Sequence, residues 1–435
     1  MKNLSMLQVG LLLFFGFVAV FSTLVFSGTI PWFGSKSNQF GGEVVLWGTT
    51  PEAMVKSFFD DFNKAHEKEF KITYVAKSPD TFDTNLVEAL ASGTGPDMIF
   101  LPHNLIVRHQ DKVFLLPYAS FSLRDFKNTF IDAGELYLDP QGIIAFPMTV
   151  DPLVMYWNKD FFSSHGLAEP PHFWDEFLTL APALSLQTKA GDIKESAVAM
   201  GESANIKHTK EILATLIFQA GNPIIKRDAD GKLESTLNDM SGNITLPAGS
   251  ALRFYTEFSN PTKRTYSWNR SLPEAKDLFI AGKLALYFGF ASELPDIQIK
   301  NKHLNIDVAQ IPQIREQALR ATFGALSGIA VLKSSKNSVA AFQALFALTK
   351  QEVVEQFAAL VSKAPALRVA LKKAPADPFA SVFYASAPMS QAWLDPDPRT
   401  TDFIFKTMVD EVTSGRNKES DAIGRANQKL VQLFK

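Results

Sequence analysis

The chain has 435 residues, with 43 Lys+Arg against 45 Asp+Glu and a net charge of -2. A single compact core stops growing near about 250–300 residues, so two lobes are expected. The balanced charge argues against nucleic acid as a partner, and the absence of cysteine excludes disulfides, Cys–Zn sites, thiol catalysis and a lipid-modified N-terminal Cys.

Residues 1–28 are predicted to be an export signal retained as a membrane anchor. Val9–Phe26 is almost wholly apolar. It exceeds the roughly 7–15 residues of a secretory core and approaches the about 20 of a spanning helix. A weak cleavage site has Val25 and Ser27 before Gly28. Residues 29–42 are rich in Gly and Ser and read as a flexible spacer. Everything after Gly42 is then expected outside the cytoplasmic membrane.

From Glu43 the pattern alternates strand and helix. Glu43–Trp47 reads as a buried strand. Thr50-Pro51-Glu52 predicts a helix start, followed by Met54, Val55, Phe58, Phe59 and Phe62 on one face. Phe70–Val75 is strand-like, Thr81–Ser92 helical and closed by Gly93, and Asp97–Leu101 a strand. This βαβαβ order implies parallel strands. Ile143–Pro147 and Leu153–Trp157 read as two strands parted by Met148–Pro152. Lys210–Ala220 is helical. Ser271–Glu274 reads as a capping box before a helix ending at Gly282. Lys283–Phe288, Asn305–Ala309 and Leu326–Leu332 are strands, and helices are expected near 338–349, 351–361, 401–414 and 418–434. The fold class is α/β in two lobes.

Catalytic signatures are missing. The seven histidines show no metal-ligand spacing. There is no Walker A sequence and no G-x-S-x-G elbow. Gly93-Thr94-Gly95 lacks a third glycine and precedes a strand. No metal or cofactor is expected.

Several segments together resemble the bacterial extracellular solute-binding proteins of family 1, the capture subunits of ABC importers, in a maltose-binding-protein-like form. They are Ala91-Ser92-Gly93-Thr94-Gly95-Pro96-Asp97-Met98-Ile99, then Gly142–Pro147, Tyr156-Trp157-Asn158-Lys159-Asp160-Phe161-Phe162 and Gly166-Leu167. Pro170–Phe177, Phe279–Leu286, Ile311-Pro312 and Gly328–Lys333 continue in the right order. Phe173 departs from the usual helix-capping Thr. The resemblance implies a type II periplasmic-binding-protein-like fold. Each lobe is a mostly parallel sheet flanked by helices, with residues 43–149 and 310–365 in lobe 1 and 150–309 and 366–435 in lobe 2. It also implies a monomer that hands solute to importer transmembrane subunits.

The solute is expected in the interlobe cleft, beyond the carboxyl ends of the strands. Trp47 offers a flat ring for a sugar. Thr49 and Thr50 offer hydroxyls, or one of them caps the following helix. His103 and Asn104 follow the strand Asp97–Leu101. The family's maltose-binding members have a His-Asp pair there, preceded by an aromatic residue. Here Asn104 and Leu101 replace the acid and the aromatic, which points away from maltodextrin. Asp151 matches a sugar-binding acid of the family or caps local backbone. Tyr156, Trp268, Phe290, Ser292, Phe323, Gly324 and Trp393 complete the candidate contacts, each aromatic having ordinary packing as its competing role. Asp97 and Pro147 read as structural.

The expected function is a hinged trap for a small polar solute, a carbohydrate first, without catalysis. A phosphate solute would instead draw on Lys207, Lys210, Arg264 and Arg270. A secreted carbohydrate-active enzyme using a carboxylate pair with Asp151 is the alternative, and a surface adhesin a third reading.

Overall fold

A computed structural model of the chain describes residues 42–228, 231–240, 242 and 245–434. The anchor predicted over 1–28 and the spacer up to residue 41 lie outside the described residues. Among the described residues no helix is long and apolar enough to cross a membrane.

The chain opens with the predicted βαβαβ unit: β1 (Glu43–Gly48), α1 (Glu52–Ala65), β2 (Lys71–Ala76), α2 (Phe82–Ala91) and β3 (Met98–Pro102). β1 lies between β2 and β3 and parallel to both. α1 buries Val55, Phe59 and Phe62, the i, i+4, i+7 stripe of its sequence. Phe59 stacks on Tyr74 of β2 with ring centroids 5.0 Å apart. Pro51 is the residue before α1, and no side chain caps its first turn.

The later elements are β4 (Phe146–Asn158), β5 (Ile193–Val198), α3 (Thr209–Gln219), α4 (Pro247–Glu257), β6 (Leu284–Phe290), β7 (Ile306–Ala309) and β8 (Thr322–Val331). Then come α5 (Ser338–Leu348), α6 (Gln351–Leu360), α7 (Pro398–Thr413) and α8 (Glu419–Gln432). The sheet runs β2-β1-β3-β8-β4-β6-β5. The pairs β1–β2, β1–β3 and β6–β5 are parallel, the antiparallel pair β8 and β4 lies between them, and a short strand Leu186–Gln187 closes the β5 end antiparallel. α5 and α6 pack on the β1–β3 side, and α3, α4, α7 and α8 pack together on the other. The result is a two-lobed α/β fold joined by crossing strands.

β4 corrects one expectation. The segment Phe146–Asn158 is one strand of 13 residues, all buried, rather than two. Its two prolines do not break it because each sits where a ladder bond is not needed. At Pro147 the register against β8 shifts between Ser327 and Gly328, a bulge that leaves Met148 over. Pro152 is the last residue to face β8. Beyond it, β4 changes partners and pairs with β6 and β7.

Two caps also differ. The box predicted over Ser271–Glu274 does not form; Glu274 itself caps the helix Ala275–Ile280, accepting from the Lys276 N–H at 2.8 Å. Phe173 cannot cap its turn, and the chain around Gln313 does so instead. Trp174 N–H donates to the Gln313 carbonyl at 3.1 Å. The Arg315 guanidinium covers the Phe173 ring at 4.1 Å.

Candidate functional site

The carboxyl ends of β1, β2 and β3 converge on one cavity of about 620 Å³. Thr49 and Thr50 follow β1, Pro79 and Asp80 follow β2, Asp83 lies in α2, and His103, Asn104 and Arg108 follow β3. The crossing strands contribute Thr149 and Ser327, and Lys363 follows α6. The facing wall comes from the far end of the chain: Asp397, Pro398, Arg399 and Asp402, at the start of α7. This convergence follows from the parallel β2-β1-β3 order, which aims successive strand ends at the same edge.

The α7 wall is held from beneath. Lys210 of α3 and Asp395 form a buried ion pair at 3.1 Å. Thr401 adds a hydroxyl donated to Asp395 at 2.8 Å, and Lys210 also donates to Thr401 at 3.2 Å. The Asp397 carboxylate caps α7 by accepting the Thr400 N–H at 2.8 Å. Its other oxygen lies 2.8 Å from Arg108, which also reaches Asp83 at 2.8 Å. Arg399 donates to the Asp80 carbonyl. Two arginines thus bridge the two walls.

His103 is buried, and burial pushes its imidazole down to about 4, so it is neutral near pH 7. Its Nδ1 accepts from the Leu326 N–H at 3.2 Å, which leaves the proton on Nε2. Asn104 beside it is half-exposed. Asp151 is buried. It accepts the Ser292 N–H at 3.0 Å and lies 3.5 Å from Lys363 Nζ. Burial raises its carboxyl above the usual range, against the pull of Lys363 and the Ser292 N–H.

Of the predicted contacts, Thr49, Thr50, His103 and Asn104 come together at this cavity. Asp151 and Ser292 meet each other, and Asp151 reaches the cavity-lining Lys363. Phe290 is half-exposed, its ring edge against His208 at 5.0 Å and Phe323 at 6.1 Å. The remaining aromatics pack inside the lobes. Trp47 is buried with Lys77 over its ring at 3.9 Å. Tyr156 is wholly buried and donates to the Phe290 carbonyl at 2.7 Å. Trp268, placed in a polar loop by its sequence, is wholly buried, with its indole N–H on Asn205 at 3.0 Å. Trp393 is buried against Phe405, centroids 5.2 Å apart. Phe323 is buried beside His103. At Gly324 an added Cβ would stand 2.4 Å from Ser390 Cβ, so the glycine serves a chain crossing. Of the cations named for a phosphate, Lys210 is spent on Asp395 and Arg270 on Glu202 at 2.9 Å.

Sequence reasoning missed Asp80, Asp83, Arg108, Lys363, Asp397, Arg399 and Asp402. For Asp80 the signal was available: it follows a parallel strand, as Thr49 and His103 do. Asp397-Pro398 was also readable as a helix start. Nothing local marks Lys363, which is placed by the long return of the chain. Among the described residues no cluster of His, Asp and Glu is arranged to hold a metal ion.

The model of the bacterial extracellular solute-binding protein family matches residues 47–355. A binding protein of Brucella abortus is 22% identical over 321 residues, 71% of this chain and 72% of that protein. Among solved structures, a cyclo/maltodextrin-binding protein complexed with maltotetraose has a TM-score of 0.72 at 17% identity, covering 92% of this chain and 99% of that one. An ABC transporter solute-binding protein from Thermotoga lettingae, bound with α-D-tagatose, has a TM-score of 0.68 at 18% identity, covering 91% and 100%.

Proposed function

Because this chain belongs to the bacterial extracellular solute-binding proteins, we propose that it is the capture subunit of an ABC importer for a small polyhydroxylated solute, a carbohydrate. The observation that carries this reading is the cavity walled by polar groups from both ends of the chain. Thr49, Thr50, Asn104 and the Nε2–H of His103 serve as neutral hydrogen-bonding groups, and the Asp and Arg side chains as charge-assisted ones, each worth about 1.5–3 kcal/mol. Two structures that share the fold hold a tetrasaccharide and a monosaccharide, so the scaffold accommodates sugars of different length.

The aromatics at this cavity, Phe82, Phe100 and Phe357, are buried and offer little ring face. Recognition therefore rests on hydroxyl bonding more than on stacking, which suits a short sugar better than a long glucan. The lobes divide as 43–149 with 310–365 and 150–309 with 366–435, a division supported by the change of partner in β4 after Pro152. Asp151 acts as a hinge tie between Lys363 on one side and the Ser292 N–H on the other. Solute touching both walls draws them together, and a closed monomer then docks on the importer, which supplies the ATP chemistry. Residues 1–28 hold the protein at the outer face of the membrane.

A hydrolase would need a carboxyl raised into the general-acid range within the cavity. Asp397 lies below its ordinary range: burial pushes it up, but the Thr400 N–H and the nearby Arg108 charge outweigh that. Asp151 is raised but is not on the wall. A thermal-shift screen of sugars, polyols and phosphate esters, followed by calorimetry, tests the binding reading. It expects one-to-one binding of a sugar recovered unchanged. Release of cleaved product, or binding of phosphate esters alone, would contradict it.

A further inference from the structure

α5 carries an outer face that its own fold uses only in part, through the Phe346 ring against Phe146 at 5.7 Å. The helix buries Ala340, Ala341, Ala344, Leu345, Ala347 and Leu348. On the other side Val339 is 73% exposed and Phe346 is 42% exposed, with Phe342 half-buried between them. These three fall at i, i+3 and i+7, a single outward stripe. Phe114, 44% exposed, extends the stripe, its ring edge on Phe342 at 5.4 Å. Four neighbouring apolar side chains at one surface are not the scattered exposure of an ordinary monomer.

The charges nearest the stripe along the chain are positive. Residues 317–351 contain no Asp or Glu. Lys333, Lys336 and Lys350 are exposed at the two ends of α5. Lys333 donates to the Asp111 carbonyl at 2.8 Å, and none of the three has a carboxylate partner among the described residues. The flanking carboxylates Glu43 and Asp111 are each paired, with Lys71 at 3.2 Å and Lys112 at 2.9 Å. An apolar stripe bordered by uncompensated lysines is the chemistry of a helix lying on an anionic bilayer.

The start of the described chain lies at the N-terminal end of this helix. An added Cβ on Gly42 would stand 3.7 Å from Asn337 Oδ1 and 3.8 Å from Ala340 Cβ. Asn337 also donates to the Glu43 carbonyl at 2.9 Å. A coil the length of residues 29–42 spans about 20 Å, so an anchor before them would leave α5 within that distance of the lipid. We propose that the outer face of α5, with Phe114, is a docking surface for an anionic membrane and sets the orientation of the anchored protein. The inference rests on the anchored reading of residues 1–28.

The test uses the full chain, whose lack of cysteine lets Gln343→Cys carry a single environment-sensitive fluorophore. Gln343 is exposed on α5, and Gln428→Cys on α8 is the control. On phosphatidylglycerol vesicles the Gln343 label is expected to shift to the blue and brighten several-fold. High salt, or Lys336→Glu with Lys350→Glu, should reverse this, and the control label should not move. Flotation with phosphatidylcholine vesicles reads the anchor separately. A chain that floats while the Gln343 label reports water overturns the docking surface and leaves the anchor standing. An equal shift on phosphatidylcholine or in detergent overturns it in favour of another part of the chain or a second copy. A chain that floats only on phosphatidylglycerol, with the shift, keeps the surface and removes the anchor. Failure to float on either removes both.

Discussion

The two walls of the cavity are built by opposite means. The wall of Thr49, Thr50, Asp80, His103 and Asn104 is a consequence of topology: parallel strands end at one edge, and whatever follows them faces the cavity. The wall of Asp397, Arg399 and Asp402 has no strand beneath it. It depends on the buried Lys210–Asp395–Thr401 cluster, in which the Lys210 side chain is 7% exposed and that of Asp395 1%. The same geometry of charge at the surface, Arg108 with Asp83 and Asp397, is partly solvated. A sheet-end wall therefore tolerates side-chain change, whereas the α7 wall stands or falls with one pair.

Removing that pair's cation gives the largest effect expected. Lys210→Met leaves Asp395 buried and unpaired, which costs about 3–5 kcal/mol. Chemical denaturation should show that loss, and Lys210→Met with Asp395→Leu should recover most of it. A loss below about 1 kcal/mol in the single variant would mean the α7 wall is held elsewhere.

The next effect belongs to the sheet-end wall and appears with pH. His103 is neutral in the fold down to about pH 4, while the unfolded chain takes up the proton near 6.5. Stability from this group is complete above 6.5 and falls as pH drops toward 4, by up to about 3 kcal/mol. His208 runs the other way: burial disfavours its charge, but the Glu293 carboxylate at 2.7 Å outweighs that and raises it. Its contribution is present below about 6.5 and lost as pH rises through its folded value. Melting curves across pH 4–8 should lose part of their acid slope in His103→Gln and keep it in His208→Gln.

Gly324→Ala sets a methyl against Ser390 and Val150 at 2.4 and 2.9 Å. Overpacking of that kind costs about 1–3 kcal/mol. It should lower the melting temperature without abolishing solute binding. A neutral result would mean that the Ser390 segment yields easily.

Arg108→Ala is the smallest in stability, at most about 1 kcal/mol, because exposed pairs contribute little. Its effect belongs in binding, where calorimetry should find weakened affinity as the bridge between the walls is lost. Unchanged affinity would place Arg108 outside recognition.

Much of this was legible from residues. The stripe of Val55, Phe59 and Phe62 and the stop at Gly93 locate α1 and the end of α2 because local periodicity and backbone freedom decide them. The sheet-end residues Thr49, Thr50, His103 and Asn104 follow from strand order alone. β4 was not legible as one strand, because Pro147 and Pro152 look like breaks unless the bulge and the change of partner are known. Trp268 and Trp393 misled for a related reason: a loop that is polar in sequence can still carry one indole into the core, and Asn205 supplies the acceptor for Trp268 from 63 residues away. The α7 wall was hidden because Lys210 and Asp395 are 185 residues apart, and only the fold brings them together.

The central claim is that a small polar solute closes two walls on itself and leaves unchanged. Solution scattering, with the solute found by thermal shift added at saturation, tests it most directly. The account predicts a smaller radius of gyration that returns to its starting value when the intact solute is dialysed away. An unchanged radius at full occupancy of a tight site would contradict it.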